Sequence, residues 1–216
     1  MKIKVEHVSK KFREREVLHD VNVAFDSGII YGIIGENGSG KTMLLRILCG
    51  LMFPTTGRIL VDDKVLHKDM DFPENAGILL EKPEFLGGIS GFENLKILAS
   101  IKNLISDEQI KEFMRMFSLN PEDKLPIRKY SLGMKQKLGI IQAIMEDQDL
   151  IILDEPFNAL DEDSVELLRK LLLKYKEQGK LILITSHHKE DIRSVCDCVY
   201  KISGGVIKEQ PGENVQ

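Results

Sequence analysis

Gly35-Glu36-Asn37-Gly38-Ser39-Gly40-Lys41-Thr42 satisfies every constrained position of the phosphate-binding template G-x-x-x-x-G-K-[ST]. The run before it, Gly28 to Ile34, is apolar and reads as a buried strand. The run after it, Met43 to Cys49, reads as a helix stopped by Gly50. Gly35, Gly38 and Gly40 free the backbone to curl, so that its N–H groups point at phosphate oxygens beside the positive end of a helix. In such a loop Lys41 reaches the β and γ phosphates as a point charge and the Thr42 hydroxyl ligates Mg²⁺.

The carboxylates that such a loop needs stand far along the chain. Leu150-Ile151-Ile152-Leu153 is an apolar run that reads as a strand buried on both faces. It ends in Asp154-Glu155, and Pro156 closes the ladder. Two acids at the end of such a strand sit at the sheet edge or coordinate something. With a phosphate loop in the same chain, Asp154 is the expected Mg²⁺ ligand and Glu155 the group that orients an attacking water.

Other segments fall around these two. Ile3, Val5, Val17, Val21, Val23 and Phe25, then Ile59 and Val61 after the Pro54-Thr55-Thr56-Gly57 turn, alternate with polar residues and predict short antiparallel strands. Phe12 has two readings there: an aromatic face for a purine, or a core residue at a strand end. Ala76 to Leu80 is another buried strand, and Glu81 stands at its carboxyl end, where α/β proteins tend to bind ligands. Ser90 with Glu93 and Ser106 with Gln109 form capping boxes ahead of helical periodicity, and Ser131 is the expected N-cap of a third helix. Residues 86 to 145 thus predict a helical lobe inserted into an α/β core made of 1–85 and 146–216. Asp163 or Ser164 is expected to cap the helix before the strand Leu181 to Ile184, whose tip carries His187, a candidate phosphate contact. Val199 to Ile207 predicts a terminal hairpin, and the last residues read as a polar, mobile tail.

The chain has 216 residues, 43% of them hydrophobic, and a net charge of -4 without a block of like charge, so nothing marks a nucleic-acid footprint. Its three cysteines fit neither zinc spacing nor a disulfide framework and are assigned packing roles in a reducing compartment. No apolar run approaches the roughly 20 residues of a membrane span, and the N-terminus does not read as a signal peptide.

Taken in order, these motifs resemble the ATP-binding subunit of an ABC transporter along essentially the whole chain. The resemblance implies an α/β P-loop NTPase (RecA-like) core, an N-terminal antiparallel β subdomain and the helical lobe, in one domain. Tyr130-Ser131-Leu132-Gly133-Met134 is similar to the family's signature, Asn158-Ala159-Leu160-Asp161 to its D-loop, His187 to its switch histidine and Phe12 to its adenine-stacking aromatic. Two departures stand out: Leu132 and Met134 replace a glycine and a glutamine of the signature, and Glu81 stands where most members carry glutamine. Together they are similar to the branch serving bacitracin and lantibiotic export or immunity. The implied cofactors are ATP and Mg²⁺, with Thr42, Glu81 and Asp154 at the metal and Glu155 and His187 catalytic. Ser131, Gly133 and Asp161 are implied to complete the ATP site across a homodimer. Separate transmembrane permease subunits are the implied partners, at the cytoplasmic face of the cell membrane. The rival reading is a soluble ABC-type ATPase acting on nucleic acid or ribosomes. A nucleotide sensor without turnover is opposed by Glu155 and His187 both being present.

Overall fold

The computed structural model describes residues 1–210; the tail expected to be mobile, 211–216, lies outside the described residues. In chain order the elements are β1 (Lys2–Phe12), β2 (Arg15–Asp26), β3 (Ile30–Ile34), α1 (Lys41–Leu48), β4 (Thr56–Val61), β5 (Lys64–Val65) and β6 (Ala76–Leu79). Then follow α2 (Gly91–Lys102), α3 (Asp107–Met116), a 3₁₀ turn at Ile127–Lys129, α4 (Leu132–Ile144), β7 (Leu150–Leu153), α5 (Glu162–Glu177), β8 (Leu181–Ser186), α6 (Lys189–Arg193), β9 (Cys198–Ser203) and β10 (Val206–Glu209).

Two sheets share the strands. The antiparallel one runs β2-β1-β4-β5 and the other β10-β9-β3-β8-β7-β6, parallel except at its β10 edge. β1 and β2, expected to be short, are 11 and 12 residues long. Bulges make that length possible: the register slips between Val5 and Val8, His7 takes φ 52°, and the buried positions move from Ile3 and Val5 to Val8. The terminal hairpin forms as expected, but β9 also pairs in parallel with β3, a long-range choice that no local pattern encodes.

The central parallel strands β3, β7 and β8 are buried on both faces, as their unbroken apolar runs require, whereas β6, expected to be buried, lies at the sheet edge and alternates buried with half-buried positions. One face carries Ile151, Leu153, Ile182 and Ile184 against Leu138, Ile141 and Leu168 of α4 and α5. The other carries Ile33, Ile152 and Leu183 against Leu44 and Leu48 of α1 and Ile3, Phe25 and Ile59 of the antiparallel sheet. The backbone of α4 rests directly on β6, since a Cβ added at Gly77 would lie 1.7 Å from Ala143 O.

Helix starts follow the capping chemistry. Ser90 and Ser106 each complete a reciprocal capping box, and Ser131 Oγ accepts from Met134 N at the head of α4. The cap of α5 differs from expectation: it is Asp161, not Asp163 or Ser164. Its carboxylate accepts from Ser164 N, which leaves Glu162 and Asp163 inside the first turn, where acids suit the helix dipole.

Candidate nucleotide-binding site

The parallel strands deliver their carboxyl ends to one rim. β3 feeds the phosphate loop, its neighbour β8 ends at Ser186-His187, and β7 beside β8 ends at Asp154-Glu155. The loop closes through Gly40, the N-cap of α1, at φ 112°, a conformation suited to glycine. Among the described residues no side chain caps α1, so its first N–H groups remain available to an anion. Ser39 Oγ is buried without a hydrogen-bond partner among the described residues, and Lys41, only 6% exposed, donates from Nζ to Gly35 O at 2.7 Å and Glu36 O at 3.2 Å. A buried hydroxyl left unpaired among the described residues and a buried ammonium hydrogen-bonded to two carbonyls suit a set of phosphate oxygens. Beside the loop, Asn37, Gly38 and Ser39 face Arg15, Val17 and Gly205 across a cleft of about 300 Å³.

Thr42 and Asp154 meet where a cation would sit. Thr42 Oγ1 donates to Asp154 Oδ2 at 2.7 Å, and Thr185 Oγ1 donates to the other carboxylate oxygen. Asp154 N donates to Leu79 O at 2.7 Å, so this acid is fixed on every side and only 4% exposed. Among the described residues no three His, Cys, Asp or Glu converge on a metal position. That donor set fits Mg²⁺, which takes one or two protein oxygens and completes its shell with phosphates and water. Glu81, expected beside them, points elsewhere: its Oε1 lies 3.0 Å from Arg46 Nη2, one turn beyond Thr42 on α1.

Glu155 adopts φ 50°. Its N–H donates to Thr185 Oγ1 at 2.9 Å, and its Oε2 accepts from His187 N at 3.2 Å and lies 2.8 Å from His187 Nδ1. Its Oε1 lies 3.8 Å from Lys41 Nζ. Phe12 is exposed, with Lys10 Nζ 5.0 Å above its ring, which excludes the reading as a core residue.

Ser131, Gly133 and Asp161 form a second cluster. Among the described residues, no hydrogen bond or ion pair of Ser131 or Asp161 reaches Gly35–Thr42. Asp161 Oδ2 lies 2.6 Å from Nζ of the buried Lys137. The Lys137 ammonium and the Ser164 hydroxyl and N–H hold its carboxyl well below the usual carboxylate range. Sequence reading did not single out Thr185, Arg46, Gln136 or Lys137. The available signals were a hydroxyl at the end of an apolar strand and polar residues on the packed side of α4.

A phosphate loop at the end of a parallel strand, with a carboxylate pair two strands away, defines an ATP-hydrolysing P-loop protein. The family described as "ABC transporter" matches residues 18–158, and the chain belongs to that family as an ATP-binding subunit. It is similar to "Uncharacterized ABC transporter ATP-binding protein YybJ" of Bacillus subtilis (strain 168), 45% identical over 206 residues, 95% of this chain and 94% of that protein. It is also similar to "Bacitracin transport ATP-binding protein BcrA" of Enterococcus faecalis, 34% identical over 96% of this chain and 68% of that one. "Lantibiotic transport ATP-binding protein SrtF" of Streptococcus pyogenes is 32% identical over 99% and 94%. Among solved structures, an ATP-binding subunit of an ABC transporter superposes with TM-score 0.87 at 26% identity, over 97% of this chain and 90% of that one. A dimeric bacterial ABC transporter cassette superposes with TM-score 0.84 at 22% identity, over 99% of each chain, which speaks to the fold alone.

Proposed function

We propose that this subunit powers an exporter of a peptide antibiotic or similar drug, as one of two copies docked on separate transmembrane subunits at the inner face of the cell membrane. The reading of the cargo rests on the bacitracin and lantibiotic relatives and on the departures at Leu132, Met134 and Glu81. In this account the loop Gly35–Thr42 holds the β and γ phosphates and Phe12 stacks on adenine. Mg²⁺ bound at Thr42 and Asp154 would neutralise charge on the phosphoryl oxygens. Glu155 orients a water whose oxygen attacks the γ-phosphorus. The bond from that phosphorus to the bridging oxygen breaks, ADP leaves with the bridging electron pair, and the carboxylate takes up the proton of the water. His187 holds Glu155 in place and faces the γ-phosphate.

The observation that carries the dimer is the separation of the two clusters. Among the described residues Ser131, at the head of α4, makes no hydrogen bond to its own phosphate loop, so the capped helix end is free to meet the nucleotide of a second copy arranged head to tail. Residues 86–145 then act as the lobe that carries this second surface. Affinity purification from membranes tests the reading. Recovery of a polytopic membrane protein supports it, and recovery of ribosomes or RNA in its place overturns it in favour of a soluble ATPase.

A further inference from the structure

Gln136 lies on the second turn of α4, 6% exposed, with its amide directed out of the helix. Its Nε2 donates to Glu155 O and to Pro156 O, both at 3.2 Å. Both partners are carbonyl oxygens, so the orientation of the amide is dictated: only the NH₂ end can face them.

Side-chain packing holds the segment that receives these bonds, with Pro156 and Phe157 buried, but its own backbone hydrogen bonds are few among the described residues. Pro156 has no N–H to give, and the turn beyond it closes through long bonds, Asn158 N to Glu155 O at 3.3 Å and Leu160 N to Phe157 O at 3.4 Å. Yet Glu155 sits at φ 50°, a region costly for a residue with a Cβ, so the surroundings must impose it. From the sheet side, the Thr185 hydroxyl accepts the Glu155 N–H. From the helix side, Gln136 takes the carbonyl of the same residue. The two side chains clamp opposite ends of one residue's main chain. Around the clamp, α4 and the segment fit closely: a Cβ at Gly133 would lie 2.6 Å from Ala159 O, and Lys137 pairs with Asp161.

We infer that Gln136 is a positioning residue for hydrolysis: it fixes the Glu155 main chain so that the carboxylate stands between Lys41 and His187. The inference rests on the reading of Glu155 as the group that acts on the water. With its amide nitrogen given to two carbonyls, Gln136 acts through the Glu155 main chain and not on the reacting groups. Its loss should therefore lower turnover while sparing nucleotide affinity, because a carboxylate displaced by about 1 Å costs up to about 100-fold in rate.

The test compares wild type with Gln136→Leu, Gln136→Glu and Gln136→His, with Glu155→Gln alongside. Leucine fills the space without a donor, glutamate keeps the shape but presents only acceptors, and histidine returns an N–H at similar reach. The measurements are kcat, KM for ATP, the dissociation constant of ADP and the melting temperature. Expected are a fall in kcat of about 10- to 100-fold in the leucine and glutamate variants, KM and ADP affinity within about twofold of wild type, and recovery in the histidine variant to within about fivefold. A leucine variant with wild-type kcat overturns the inference, as does a histidine variant as slow as leucine. If the leucine variant does not fold, a glutamate variant with wild-type kcat overturns it equally. Full turnover in Glu155→Gln would instead remove the role of Glu155, a failure distinguishable from that of Gln136.

Discussion

Lys41 and Glu155 face each other across the rim, Nζ to Oε1 at 3.8 Å, although the strands they follow, β3 and β7, are separated by β8. The ammonium is otherwise held by the carbonyls of Gly35 and Glu36. A γ-phosphate arriving here must share Lys41 with a carboxylate of its own sign, so the cation decides whether the site tolerates the anion.

Lys41→Ala should therefore weaken ATP binding by about 10- to 100-fold, the worth of one charge-assisted contact at roughly 1.5–3 kcal/mol. Titration with a fluorescent ATP analogue reads the change. Unchanged affinity would mean that phosphates bind elsewhere.

Glu155→Gln keeps the shape of the side chain and removes its charge. Turnover should fall by about 100-fold or more, while ATP affinity stays equal or improves, since the like charge facing the γ-phosphate is gone. Single-turnover hydrolysis and equilibrium binding measured on the same preparation separate the two effects. Wild-type turnover would remove Glu155 from the chemistry.

Glu81 is engaged with Arg46, and both side chains are substantially exposed. A pair of this kind is worth at most about 1 kcal/mol, so nearby Mg²⁺ can compete for the carboxylate. Freed by Arg46→Ala, Glu81 should repel nucleotide when metal is absent, and the ratio of ATP dissociation constants without and with Mg²⁺ should rise about two- to fivefold over wild type. In Glu81→Gln the ratio should not rise. Identical ratios in all three proteins would leave Glu81 without influence on the metal.

Asp161 links pH to stability. Its folded-state carboxyl is depressed, chiefly by Lys137, so its contribution is fully present above the unfolded value of about 3.9 and declines as pH falls from there towards the native value. Asparagine is an equally good N-cap, so Asp161→Asn isolates the ion pair from the cap. The gap in urea midpoint between wild type and this variant should be widest near pH 7 and narrower at pH 3. A gap that widens towards pH 3 would contradict the assignment.

The capped helices and buried strands were legible because their signals are local: Ser90, Ser106 and Ser131 stand at the helix starts, and the apolar runs became the parallel strands. The pairing of β9 with β3 was not, since it joins distant segments with no register signal in either. The cap of α5 was set two or three residues late because Asp161, Glu162, Asp163 and Ser164 are all plausible helix-start residues, and only the fold decides which one turns back. At the site, the phosphate loop and the Asp154-Glu155 pair were visible as contiguous motifs. Thr185 and Gln136 were not, because each acts on a backbone or carboxylate group remote in sequence. Glu81 could be placed at its strand end from sequence, but its partner Arg46 depends on how β6 lies against α1.

Closure of two copies around ATP is measured most directly by sedimentation of the Glu155→Gln protein with Mg²⁺ and either ATP or ADP. Twice the monomer mass with ATP, monomer mass with ADP, and monomer mass in both when Ser131→Arg is added are expected. The same mass with ATP as with ADP would contradict the account.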